Sequence, residues 1–159
     1  MIRVAVAGCA GRMGKTLVQA IEDSPQLVLG AAFEHAGHSF LAADAGALAG
    51  IGDKGVAISA DVEAAIDAFD VVIDFTVPEA TLGLAAICAR HGKAMVIGTT
   101  GLNAEQLGQL VGDDLDRHLA GVDGLDDRLA EAGDLDAFGE VLGDLEIDVR
   151  GHQCRAHLV

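Results

Sequence analysis

The sequence predicts an α/β protein built on a doubly wound parallel sheet. Three observations carry this. Short apolar runs recur along residues 1–110, the mark of strands buried on both faces. Stretches with helical periodicity alternate with them. Turn signals of Gly, Pro, Asp and Asn separate the two. Strands that alternate with helices imply βαβ crossovers and a sheet covered on both sides.

The elements follow in order. Ile2–Ala7 (IRVAVA) is the first strand. Gly11–Asp23 reads as a helix with Met13, Leu17, Ala20 and Ile21 on one face, and Ser24-Pro25 ends it. Leu27–Phe33 is the second strand. Residues 34–55 are rich in Gly and Ala, with a short helix near Phe40–Leu48. Val56–Ser59 is a small strand, and Asp61 caps a helix running through Ala68. Val71–Phe75 is a further strand. Pro78 and Glu79 open a helix to about His91, proline being favoured in a first turn. Ala94–Gly98 is the next strand. Asn103 then caps a helix, with Gln106 three residues on completing a capping box.

From residue 111 the character changes. Residues 111–159 hold 13 acidic residues against 4 arginines and lack Lys, Ser, Thr, Asn and Pro. Gly121, Gly124, Gly133, Gly139 and Gly143 interrupt any helical period, each glycine costing about 1 kcal/mol inside a helix. The reading is an α/β domain over 1–110 and a divergent, acidic, loosely helical tail over 111–159.

Composition narrows the partners. The chain has 159 residues, 51% of them hydrophobic and only 3% aromatic, so the core must be aliphatic. A formal net charge of −15 speaks against nucleic acid, whose phosphates need Lys and Arg, and against anionic membrane surfaces. Cys9, Cys88 and Cys154 form no CxxC pair, so neither a zinc site nor a redox pair is assigned. Their spacing fits reduced thiols in a cytosol. No secretory signal pattern opens the chain, and no run reaches about 18 apolar residues. A cytoplasmic, soluble protein is expected.

The first strand runs into Gly8-x-x-Gly11-x-x-Gly14 and then a helix. Gly8 suits a tight turn, Gly11 a close approach of pyrophosphate to backbone N–H groups, and Gly14 tight packing of helix on strand. A pyrophosphate fits such a helix N-terminus, with Arg12 and Lys15 adding positive charge. A purely structural corner has the same pattern. Glu34, at the end of the second strand and 20 residues past Gly14, favours the dinucleotide, because an acid there accepts from ribose hydroxyls. Asp74-Phe75-Thr76 and Gly98-Thr99-Thr100-Gly101 follow later strands, where ligand crevices open. Their threonines suit a carboxamide or ribose, or simply make turns.

VAVAGCAGRMGK, AAFEHAGHSFLAADAGALAG, VVIDFTVPEATL and HGKAMVIGTTGLNAEQL together resemble the dihydrodipicolinate reductase family, from Ile2 to about Leu110. The resemblance implies a Rossmann-type cofactor domain followed by an α+β substrate and tetramerisation domain. It implies reduction of 4-hydroxy-tetrahydrodipicolinate by NADH or NADPH, with loss of water, in lysine and diaminopimelate biosynthesis. Gly8, Cys9, Ala10, Gly11, Arg12 and Met13 would hold the pyrophosphate and Glu34 the adenosine ribose. Phe75, Thr76, Gly98, Thr99 and Thr100 would border the nicotinamide side. His35 stands where the family commonly has Arg, which would pair with the 2′-phosphate of NADP. NADH is therefore the favoured cofactor.

The tail departs from the family. The family's A-P-N-F-S-x-G segment and its E-x-H-H-R-x-K-x-D-x-P-S-G-T motif have no counterpart, although VLGDLEIDV resembles the run before the latter. His152 and His157 receive no role, and no catalytic residue or metal ligand is assigned. A small dicarboxylate is a partner only where a substrate domain is supplied. Two functions stand side by side: the reductase by descent, and a non-catalytic NAD(P)-binding fragment. A third, a coenzyme A reader, is opposed by Glu34 and GTTG. The tail's composition suits a gene read out of frame after about Leu110, or a truncation. Translating the coding DNA in its other two frames is expected to reveal A-P-N-F-S and H-H-R-x-K, and their absence rejects the frame shift.

Overall fold

The computed structural model describes residues 1–115 and 156–158, with side chains described through residue 110. Its strands are β1 (Ile2–Ala7), β2 (Leu27–Phe33), β3 (Ile58–Ser59), β4 (Val71–Asp74), β5 (Ala94–Ile97) and β6 (Ala156–Leu158). The helices are α1 (Arg12–Asp23), α2 (Ala45–Ala49), α3 (Pro78–His91) and α4 (Ala104–Leu115). The strands form one sheet in the order β3-β2-β1-β4-β5-β6, every neighbouring pair parallel. The chain thus starts in the middle, builds outward to β3, and returns to lay β4 against the free side of β1. That reversal leaves a crevice at the carboxyl ends of β1 and β4.

Side-chain alternation divides the core into two layers. Val4, Val6, Val71, Ile73 and Val96 face one side, where they meet Leu17, Val18 and Ile21 of α1 and Ala45 and Ala49 of α2. Ala5, Ala7, Val72, Met95 and Ile97 face the other, with Phe69, Leu84 and Cys88. Both faces of the central strands are covered, which is why those strands read as unbroken apolar runs. Among the described residues, no helix is long and apolar enough to cross a membrane.

The helix ends obey the local chemistry. Pro78 occupies the first turn of α3, and Gly92 closes it in the left-handed conformation. The capping box of α4 is present: the Gln106 amide donates to Asn103 Oδ1 at 2.9 Å and the Asn103 amide to Gln106 Oε1 at 3.0 Å.

Several expectations shift. On α1 the buried face is Gly14, Leu17, Val18 and Ile21, whereas Met13 is 40% exposed and Ala20 only half-buried. Position 13 lies in the first turn, beside the crevice rather than over the sheet. The helix sought near Phe40–Leu48 begins only at Ala45, where Asp44 caps it. Asp61 does cap, accepting from the Ala64 amide at 2.9 Å. The bonds that follow run from i+3 to i, however, so a short 3₁₀ turn over Ile66–Ala68 replaces a helix and swings Phe69 into the core. The sheet ladder of β4 stops at Asp74 and that of β5 at Ile97. Only Ile58–Ser59 of the expected Val56–Ser59 pairs with β2. In the tail, the described residues 156–158 form β6, parallel to β5. The loose helix expected for the remainder of 111–159 falls, beyond α4, on residues outside those described.

Asp44 anchors the segment between β2 and β3. Its carboxylate accepts from the amides of Ala47 (2.8 Å), Lys54 (3.1 Å) and Val56 (3.0 Å). These donors, Ala47 foremost, hold its pKa down to about 2 from an ordinary 3.8. The folded value lies below the unfolded one, so the stabilisation is complete above the ordinary value and is lost as pH falls toward the folded one. D44N is expected to lower Tm at neutral pH and to flatten its decline through that acid window, as read from thermal melts across pH.

Candidate functional site

The crevice is built around the turn between β1 and α1. Gly8 has φ +76°, and a Cβ there would overlap the carbonyl oxygen of Phe75. Its amide and that of Cys9 both donate to the Phe33 carbonyl, at 3.0 and 3.3 Å. This holds the turn against the end of β2. A Cβ on Gly14 would fall on the Gly8 carbonyl oxygen and the Cys9 backbone, so α1 packs directly on the turn. Gly11 is exposed, and its nearest obstacle is the Gly8 carbonyl at 3.2 Å from a built Cβ. It is also the N-cap of α1, with no side chain capping the helix. The first amides of α1 consequently keep their hydrogen-bonding capacity for an anion.

Glu34 closes one side. Its amide donates to the Ser59 carbonyl at 3.0 Å, fixing the end of β2. Its Oε1 accepts from the Ala10 amide at 2.9 Å, so the carboxylate hangs over the glycine turn. Beyond it, His35, His38 and Phe40 form a row of rings with centroid separations of 5.0 and 5.6 Å. The resulting cleft, about 640 Å³, brings together Gly8, Ala10, Gly11, Glu34, His35, Phe75 and Thr76 of the residues expected from sequence. The α3 side contributes Val77, Ala80 and Ile87 to an apolar wall.

Beneath the far end lies a buried carboxylate. Asp74 has no exposed surface. It accepts the hydroxyls of Thr76 (2.6 Å), Thr81 (2.6 Å) and Thr99 (3.3 Å). Desolvation pushes its pKa upward, and the threonine hydroxyls oppose that shift. Thr99 Oγ1 also accepts from the Thr76 amide at 3.0 Å, tying the loop after β5 to the loop after β4. The Phe75 ring lies over Gly98, where any Cβ would enter it.

The other expected residues sit around this frame. Cys9 contributes its backbone, and its thiol is buried, with a pKa pushed up to about 12 by burial and then by the Glu34 charge. It therefore remains a thiol at neutral pH. Arg12 and Met13 are exposed on the first turn of α1, outside the cleft lining. Gly98 and Thr99 are buried under the rim, and Thr100 is exposed on it. Asp74 as an anchor and His38 as a cleft residue were missed from sequence. A signal for His38 existed: Ala36-Gly37 centres a tight turn, with Gly37 at φ +87° and the His38 amide on the His35 carbonyl at 3.1 Å. Glu34, His35 and His38 come together there, each with a ligand-type atom within 4.8 Å of the others.

Comparison with known proteins agrees with this architecture. A family described as dihydrodipicolinate reductase, N-terminus, matches residues 2–118. The 4-hydroxy-tetrahydrodipicolinate reductase of Hahella chejuensis is 54% identical over 106 residues, covering 67% of this chain and 40% of the relative. That of Chromohalobacter salexigens is 52% identical over 112 residues, covering 70% and 42%. This chain thus spans about two-fifths of the length of these relatives. Among solved structures, the dipicolinate-bound dihydrodipicolinate reductase from Paenisporosarcina sp. TG-14 superposes with a TM-score of 0.55 at 28% identity, covering 70% of this chain and 42% of that one. The WlbA dehydrogenase from Thermus thermophilus, solved with NAD and alpha-ketoglutarate, shares the fold alone, at 17% identity and a TM-score of 0.53 over 69% of this chain and 37% of its own.

The glycine packing can be tested directly. G14A is expected to destabilise the protein by about 1–3 kcal/mol, because backbone must shift to admit the methyl group. G108A in α4, where a built Cβ meets nothing within 4 Å, is expected to stabilise by up to about 1 kcal/mol. Urea unfolding of both variants checks the contrast.

Proposed function

Because this chain belongs to the dihydrodipicolinate reductase family, we propose that its first 110 residues bind NAD(P)H as the cofactor half of that reductase. The observation that carries the reading is the Glu34 carboxylate, held by the Ala10 amide directly over the glycine turn. The residues fit a dinucleotide. Gly11 leaves the approach to the turn open, and the uncapped N-terminus of α1 suits a pyrophosphate. Glu34 suits the adenosine ribose hydroxyls, and the apolar wall of α3 suits the face of an adenine. The Gly98–Thr100 rim and Thr76 suit the nicotinamide end, with Asp74 holding both loops in place.

When bound, the reduced nicotinamide supplies a hydride. This chain's residues bind and orient the donor, and the loops after β4 and β5 shape the rim against which an acceptor must lie. For the family reaction, the acceptor is 4-hydroxy-tetrahydrodipicolinate, reduced to tetrahydrodipicolinate. A dicarboxylate acceptor needs cationic partners, whereas residues 111–159 carry 13 acids against 4 arginines. We therefore assign turnover to an assembly in which a substrate domain is supplied, and dinucleotide binding to this chain. Loss of reduced-nicotinamide absorbance with freshly generated substrate tests this. Chain alone should be silent, and turnover by chain alone would overturn the assignment.

His35 favours NADH. An imidazole cannot pair bidentately with a 2′-phosphate as the Arg common in the family does, and Glu34 repels that phosphate. Fluorescence titration is expected to show NADH bound more tightly than NADPH. Binding of NADPH tenfold more tightly than NADH would refute the preference. H35R is expected to narrow or reverse the ratio, and E34A to weaken NADH.

A further inference from the structure

We propose that Glu34, His35 and His38 form a binding site for a divalent ion of the zinc type, and that the ion and the dinucleotide compete for Glu34. The competition rests on the dinucleotide reading above; the metal site stands without it.

One ligand-type atom from each residue lies within 4.8 Å of the other two. Zinc bonds of about 2.0–2.2 Å place tetrahedral ligand atoms roughly 3.4 Å apart, so the side chains must close by a small rotation. They are placed to do so. His35 is exposed and His38 half-buried, both on the turn centred on Ala36-Gly37. Their rings meet edge to face at 83°.

The hydrogen bonds decide which atoms are ready. His35 Nδ1 lies 3.1 Å from the Ala36 carbonyl oxygen, which can only accept. A hydrogen bond there requires the proton on Nδ1, which leaves Nε2 to present its lone pair. This is the outer-shell arrangement that orients metal-binding imidazoles. Glu34 Oε1 is engaged by the Ala10 amide at 2.9 Å, and Oε2 has only a long contact of 3.4 Å from the His35 amide. Oε2 is the oxygen to coordinate. His38 Nδ1 accepts from the Phe40 amide at 3.2 Å. Coordination through either nitrogen of His38 gives up that bond, because Nδ1 must then carry the metal or a proton.

Two imidazoles and one carboxylate suit Zn²⁺ or Co²⁺ over Mg²⁺, and leave a fourth position for water. The ion would take up Oε2, the oxygen left open to ribose hydroxyls by the Ala10 bond to Oε1, and would sit in the cleft lined by all three residues.

The test uses the full chain and the metal alone. Titration with Co²⁺ should give the visible absorbance of a tetrahedral site, lost on addition of Zn²⁺. H35Q and H38Q should each weaken binding roughly tenfold or more, with circular dichroism confirming the fold. Unchanged affinity in the double variant overturns the site, since the remaining histidines or cysteines would then hold the ion. NADH titration follows, with saturating Zn²⁺ or with chelator. The apparent Kd should rise with Zn²⁺, recover with chelator, and stay insensitive to Zn²⁺ in the double variant. NADH binding unaffected by bound Zn²⁺ overturns the competition. Failure to bind NADH in chelator refutes the dinucleotide reading and the competition with it, while the Co²⁺ titration still decides the metal site.

Discussion

The carbonyl oxygen of Phe75 passes so close to Gly8 that no side chain fits between them. This contact fixes how the ends of β1 and β4 leave the sheet, and much else follows from it. With Gly8 turned at positive φ, its carbonyl points under Gly14, and α1 starts flush against the turn. With α1 so placed, Leu17, Val18 and Ile21 reach the sheet. The same turn donates two amides to Phe33, which sets the direction in which β2 hands over to Glu34. A side chain at position 8 would therefore disturb the sheet centre, the first helix and the carboxylate together.

The opposite rim depends on charge rather than on space. A carboxylate with no exposed surface is costly unless donors surround it. Asp74 has three hydroxyls from two loops and one helix. Each threonine gains a fixed rotamer in return, and Thr99 passes that order on to the Thr76 backbone. The loops at the crevice are thus held by a buried polar cluster as well as by the packing of the Phe75 ring on Gly98. Such clusters fix geometry when fully satisfied, and no buried side-chain polar atom among the described residues lacks a partner.

The strands and long helices were legible because their signals are local. β1 and β2 match their expected bounds, and α3 and α4 follow from Pro78 and the Asn103–Gln106 pair. The segment between β2 and β4 was less legible. Asp44 reaches amides up to 12 residues away, and the turn after Asp61 is set by where Phe69 must be buried; neither is written in a periodic pattern. The site divides the same way. Spacing pointed to Gly8, Gly11, Gly14 and Glu34, because strand, turn and helix place them in order. The inward hydroxyls of Thr76 and Thr99 were not foreseeable, since a threonine at a strand end serves a ligand or a neighbour equally well. β6 was hidden too, because its partner β5 lies some sixty residues earlier in the chain.

The bond from Ala10 to Glu34 has a consequence for discrimination. Glu34 is anchored and half-buried before any ligand arrives. Its other oxygen has only the 3.4 Å contact from the His35 amide, and the residue lines the cleft. A ligand carrying paired hydroxyls meets a charged acceptor already in position. A ligand of similar shape without them covers that oxygen and returns nothing, leaving a charged acceptor unsatisfied. On the proposed dinucleotide reading, selectivity at this position would therefore come as much from the penalty on the wrong molecule as from the gain with the right one.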